Sequence, residues 1–539
     1  MGPGRIELTT SSLGNSRSVQ LSYDPVKTHE LYHFSLLPAK SVAVWYNGRM
    51  QQLITELADG TFRIPALVDA HVHIESSHLV PSRFGELIAA QGTLTAICDP
   101  HEIVNVLGEP GLDFMLDSSR LSPARLLFTL PSCVPATPFE TSGATLSAAD
   151  TARIFANHPE LIALGEMMNV PGVLANNPEV RGKIAAAQAA GKRIDGHFPN
   201  GRGAALAAYA AAGISSDHES SDADEALEKI AAGMTVFIRE GSAAKNLESV
   251  LPAVNDGNWE RFCFCTDDIS AQDLESGGGI IACVRKAVRL GMSPERAVAL
   301  ATVNPARHYG FTIPEGDFII VRDLVNFEIL RVFRDNRPLA GSGSSAASPE
   351  SCGAIRLPDL ANRTFAAPPP KDGRLDVIGV RDGSLLTDRL RRAPDDTADL
   401  TLLTVIERHG KNGNIASAWT AGTGLLNGAL ASTVAHDHHN LVILGSNPAE
   451  IRLAARHLAE IGGGLCVVRN GNVIADLPLP IAGLMSGSSS ADISAGLHRV
   501  RKAAREIGCT LTNPFATLSF LALPVIPALK LTDQGLIAC

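Results

Sequence analysis

From residue 63 onward the chain repeats one pattern: a short apolar run, then polar or ionisable residues, then an Ala-rich amphipathic stretch of helical period. Eight runs carry it: FRIPALVDAHVH, TLTAICDPH, RLLFTLPSC, LIALGEMM, KRIDGHF, GISSDHE, MTVFIRE and RFCFCTDD. Helical patterns such as ARIFANH, KIAAAQAA and DEALEKIAA lie between several of them. Eight β/α units predict a closed (β/α)₈ barrel over 63–310, within a chain of α/β class. Residues 1–62 alternate instead (SVAVWYNG, MQQLITEL), which predicts strands of a small β-domain flanking the barrel. After the helix-like PERAVALATVNPARHYG, residues 311–340 turn β-like again (DFIIVRD, FEILRVFRD) and are expected to join those strands. The stretch GSGSSAASPESCG, 341–353, reads as a linker, and 354–539 as a C-terminal α/β domain.

Length and charge narrow the function. At 539 residues the chain exceeds one ordinary core, in keeping with a barrel plus further domains. Its 46 basic residues are scattered among 56 acidic ones, for a formal charge of −10, so no basic stripe is available to neutralise a nucleic-acid backbone. The N-terminus lacks an apolar signal core, and the apolar stretch Leu518 to Leu529 is broken by Pro524 and Pro527, so a cytoplasmic protein with no membrane partner is expected. Nine cysteines without a CxxC pair fit reduced thiols used as small apolar residues. No GxxxxGK[ST] loop is present, which disfavours a nucleotide triphosphate site.

Nearly every run ends in a residue able to do chemistry: His71 and His73, Asp99 and His101, Cys133, Glu166, His197, His218, Arg239 and Glu240, and Asp267. Barrel enzymes build their sites at this C-terminal face. His71 and His73 are two apart on one strand and share a face with Asp69. A single His-x-His is often structural, but four histidines and two carboxylates at one end of one barrel are not explained as independent core histidines. The set exceeds what one ion with an open position needs, and suits two ions, zinc, manganese or iron, sharing a bridging carboxylate, assigned to Glu166. Asp267 is then placed to bind one ion, accept a proton from the attacking water and pass it to a leaving nitrogen. Cys263 and Cys265, on the same face as Asp267, read as barrel packing.

These residues resemble the amidohydrolase superfamily and, within it, the adenine deaminases. The similar segments are PALVDAHVHIESS (65–77), CDPHEIVNVLG (98–108), SCVPATP (132–138), GEMMNVPGVL (165–174), IDGHFP (194–199), SDHES (216–220), IREGS (238–242) and CTDD (265–268). In the second domain AHDHHN (435–440), LPLPIAGLMS (477–486) and NPFATLSFLALPVIPALKLTDQG (513–535) match as well. The resemblance implies a binuclear site of His71, His73, Glu166, His197, His218 and Asp267. It implies manganese or ferrous iron as the pair, with zinc as a further candidate. The reaction it implies is hydrolytic deamination of adenine to hypoxanthine and ammonia by a hydroxide held on the two metals. Glu102, Ser132, Arg239 and Glu240 are candidates to bind the purine edge. His436, Asp437, His438 and His439, in the AHDHHN segment, are candidates for a lid over the site, or equally an ordinary polar loop. Gly279 stands where the family usually has a histidine, which keeps a different purine or heterocycle open as the substrate. A homo-oligomer, a dimer, is expected on general grounds.

Overall fold

The computed structural model describes residues 6–12, 15–21, 43–46, 49–242, 244–339, 352–353 and 355–538. The Gly/Ser-rich stretch expected as a linker lies outside the described residues except for Cys352 and Gly353.

Eight parallel strands form the barrel: β1 (Leu67–His73), β2 (Thr93–Cys98), β3 (Arg125–Phe128), β4 (Ala163–Met167), β5 (Arg193–Gly196), β6 (Ser216–Asp217), β7 (Thr235–Arg239) and β8 (Phe262–Cys265). Sequential neighbours pair throughout. The bridge Leu130–Leu164 carries the sheet from β3 to β4, and Ser215 N donates to the Ile194 carbonyl between β5 and β6. Just beyond β8, Asp267 and Asp268 pair with Val72 and His73 of β1, which closes the circle. All seven residues of β1 are buried, as a strand with side chains inside the barrel and beneath its helices must be.

The run FRIPALVDAHVH, which reads as one strand, is two. Phe62–Pro65 belongs to a five-stranded antiparallel sheet beside the barrel, and the chain enters β1 only at Leu67. In that sheet Phe62–Pro65 pairs with Phe318–Val321, so strands from before and after the barrel share one layer.

The second domain is a largely antiparallel eight-stranded sheet. In spatial order its strands are Thr387–Arg392, Leu375–Val380, Ile415–Ala421, Thr401–Ile406, Leu441–Gly445, Ala429–Ser432, Gly464–Arg469 and Asn472–Pro478. One pair is parallel, Leu375–Val380 with Ile415–Ala421. Helices Pro448–Glu460 and Ser490–Glu506 cover it, each started by a side chain that caps backbone amides, Asn447 and Ser489. Backbone bonds seat it on the barrel: Val80 N donates to the Ser486 carbonyl at 3.1 Å. Nearby, the His78 ring meets the Leu484 carbonyl at 3.2 Å. Among the described residues no helix is long and apolar enough to cross a membrane.

Candidate metal centre and active site

Period-two geometry on β1 turns Asp69, His71 and His73 inward together, and each has a different task. Asp69 accepts from Thr266 N at 3.0 Å, which ties β1 to the end of β8. The next residue, Asp267, has φ +58°, a left-handed backbone that costs a non-glycine residue about 1–2 kcal/mol. That turn brings Asp267 Oδ1 to 3.2 Å from His73 Nε2 and 3.5 Å from His71 Nε2. The two ring nitrogens are themselves 3.1 Å apart. His73 has its other nitrogen 3.0 Å from the Asp99 carbonyl, which fixes that side as the proton donor and leaves Nε2 facing the centre.

Glu166 lies in the middle. Its Oε1 is 3.3 Å from His73 Nε2, and its Oε2 is 2.7 Å from His197 Nδ1 and 3.2 Å from His218 Nε2. One carboxylate thus reaches histidines of three strands, one oxygen to each side, which is the geometry of a bridging ligand. Its backbone is held from below. Glu166 N donates to Asp99 Oδ2 at 2.9 Å, and Ser132 Oγ donates to the Glu166 carbonyl at 2.5 Å. Residue 165 has to be glycine for this, because a Cβ there would stand 2.2 Å from Asp99 Oδ2.

Four overlapping triads result, His71/His73/Glu166, His71/His218/Asp267, Glu166/His197/His218 and Asp99/His101/Glu166, each with ligand atoms within 4.8 Å of one another. His218 Nε2 is buried without a hydrogen-bond partner. Against the burial that disfavours its charge, the Glu166 carboxyl is held well below the usual carboxylate range by His197, His218 and His73. Asp267 is held there, against the same burial, by Arg239, His71 and His73. Without a cation these carboxylates hold protons on the facing imidazoles; a divalent cation that displaces those protons meets ionised carboxylates and imidazole lone pairs, a donor set it fits.

The other residues singled out from the sequence fall in three places. Arg239 donates to Asp267 Oδ2 at 2.7 Å and to Glu219 Oε2 at 3.1 Å, so it grips the outer oxygen of the aspartate and leaves Oδ1 to the centre. Ser132 is buried beneath Glu166, as above. Glu240 pairs with Lys286 at 2.9 Å in an open groove that Lys245 and Arg289 also line. Glu102, His436 and His439 meet each other across the domain boundary, with His436 Nδ1 and His439 Nε2 each against a Glu102 oxygen. Gly279 has φ +80° and ψ −168°, a conformation open essentially to glycine alone. A Cβ there would meet Gln91 and Leu274, and no residue of the histidine cluster lies within 4 Å of it. The glycine therefore answers the demands of a local turn.

Asp99 and His101, noted at the end of β2 without a specific role, stand in or against the site with Glu219 and Arg408, which the sequence reading did not single out. Asp-Pro-His-Glu at the end of β2, and an acidic residue directly after His218, were signals that could have given three of them a role. Arg408 had none. It is buried, and its guanidinium donates to the carbonyls of His439 and Ala482, fastening the loop that carries His436 and His439.

Residues 62–337 match the amidohydrolase family, and residues 382–539 match the adenine deaminase C-terminal domain. An adenine deaminase of Nitratidesulfovibrio vulgaris strain Hildenborough is 44% identical over 505 residues, 89% of this chain and 87% of that one. An adenine deaminase of Syntrophobacter fumaroxidans is 42% identical over 521 residues, 92% of this chain and 89% of that one. One from Brucella anthropi is 40% identical over 497 residues, 89% and 88% of the two chains.

Proposed function

From the premise that the chain belongs to the amidohydrolase family, in its adenine deaminase branch, we propose how its own residues remove ammonia from adenine. The reaction converts adenine and water to hypoxanthine and ammonia. The observation that carries the reading is the convergence of His71, His73, Glu166, His197, His218 and Asp267 at the ends of five strands, with the carboxylate of Glu166 between the histidines.

We assign two divalent cations to this set, manganese or ferrous iron, with Glu166 as the shared ligand. Bound there, the cations lower the pKa of water and so supply the nucleophile at neutral pH. Asp267 is the proton carrier. Its Oδ1 is turned to the centre while Arg239 occupies Oδ2, so a single oxygen accepts the proton of the attacking water and returns it to the amino nitrogen on C6. Protonation makes that nitrogen leave as ammonia. Arg239 and Glu219 position Asp267, and Ser132 with Asp99 positions Glu166. Glu102, His436 and His439 form the wall contributed by the domain boundary, against which the purine is held. Glu240, paired with Lys286, is assigned no contact with substrate. A homodimer in the cytoplasm is the setting proposed.

The test is ammonia release from adenine by protein reconstituted with manganese or ferrous iron, beside Asp267→Asn. Activity in the parent that the variant loses supports both reaction and proton carrier. A parent that binds two ions yet leaves adenine untouched would sink the substrate assignment.

A further inference from the structure

A second group of metal-ligating side chains meets beside the first. His101 and Glu102 follow β2, and Asp437 comes from the loop after Ala429–Ser432 in the other domain. His101 Nε2 is 3.6 Å from Glu102 Oε1 and 3.4 Å from Asp437 Oδ1, and the three atoms lie within 4.8 Å of one another. All three residues are at least 95% buried. His436 Nδ1 abuts the same Glu102 oxygen. Glu102 Oε1 is buried, has no hydrogen-bond partner, and faces these imidazole nitrogens. A buried carboxylate oxygen left in that state is costly, and lone pairs converging from imidazole and carboxylate are what a divalent cation satisfies.

We propose that His101 Nε2, Glu102 Oε1 and Asp437 Oδ1, with His436 Nδ1 as fourth ligand, hold a third divalent cation separate from the pair at the strand ends. The donors suit manganese, ferrous iron or zinc. Two ligands come from the barrel and two from the C-terminal domain, so the ion is a clasp between them. It fixes Glu102 and His436, the wall against which the purine is held in the function proposed above. His101 connects the two centres, since its Nδ1 lies 3.5 Å from Glu166 Oε1.

The experiment counts metal in the full chain. Protein produced with manganese is freed of loosely held ions on a chelating column, and manganese per chain is measured by inductively coupled plasma mass spectrometry. About three per chain is expected for the parent, about two for Asp437→Asn and for Glu102→Gln, and about one when His71 and His197 are both changed to alanine. The third equivalent is also expected to raise the unfolding midpoint of the parent and not that of Asp437→Asn. A count that Asp437→Asn and Glu102→Gln leave unchanged overturns the clasp, the histidines then being protonated partners of Glu102. A count lowered by those variants but not by loss of His71 and His197 overturns the strand-end centre instead. Should neither clasp variant fold, uptake of only two equivalents by metal-free parent overturns the proposal.

Discussion

The barrel mouth and the loop 433–440 are both rich in buried histidine, and they differ in what the rings face. At the barrel mouth His73, His197 and His218 face carboxylate oxygens from other strands. In the loop, His438 receives the Asn440 amide on Nδ1 at 2.8 Å and lies with Nε2 3.1 Å from the Ala522 carbonyl. That pair of backbone partners fixes the proton on Nε2 and uses both nitrogens. Burial, then His439, pushes the His438 ring down to about 4, so it stays neutral. His78, bonded to the Leu484 carbonyl, is likewise pushed down by burial to about 4. A histidine satisfied by backbone is structural, whereas one left facing carboxylates is available to a cation. Two residues along the same loop, His436 faces Glu102 and belongs with the first kind of environment.

The sharpest way to break this contrast is to remove the ions. Dialysis against a chelator is expected to abolish ammonia release, with manganese restoring it, and a metal-free protein that still turns over adenine would defeat the reading. Next in size, Asp267→Asn is expected to lower kcat about 10³-fold, within the usual range for a positioned acid–base group. Steady-state kinetics checks this, and a loss under tenfold would remove Asp267 from proton transfer.

On the structural side, Lys229 is fully buried between Asp217 (2.6 Å) and Glu225 (2.7 Å), directly behind His218. Lys229→Met leaves two buried carboxylates without a cation and is expected to cost about 3–5 kcal/mol in denaturant unfolding. Arg408→Met removes the donors that hold the loop and is expected to cost about 2 kcal/mol. It should also raise KM for adenine more than it lowers kcat, because it loosens the loop and leaves the strand ends alone.

The smallest effect is reserved for the backbone-bonded histidines. His438→Gln is expected to change kcat/KM less than fivefold. In the unfolded chain His78 and His438 take a proton near pH 6.5, but in the folded protein only near 4. Folded pKa values below the unfolded ones mean that stability falls as pH drops from about 6.5 towards 4. Replacing both histidines with glutamine should flatten that limb of the stability profile, and an unchanged limb would show that other groups control it.

Much of the barrel was legible because its signal is local. An apolar run every thirty or so residues, each ending in a chemical group, is written in consecutive letters, and period two alone puts His71 and His73 on one face. The place where this failed, FRIPALVDAHVH, is continuous in hydrophobicity yet serves two sheets, since burial looks the same in both. Likewise, the positive φ of Gly279 and its turn against Gln91 and Leu274 could not be read from the letters around it.

By itself, then, the sequence determined an α/β barrel with ionisable strand ends, the pairing of His71 with His73, and a second domain carrying its own histidines. Only the tertiary structure decided which of those groups touch. Asp99 under Glu166 depends on the missing side chain at Gly165, and Arg239 on Asp267 depends on adjacent strand ends. The meeting of Glu102 with His439 joins residues 337 apart in the chain. The reason is that strand and helix periods report only the face a residue shares with its near neighbours, whereas partners and protonation are set by distances of a few ångströms between segments that the chain separates by hundreds of residues.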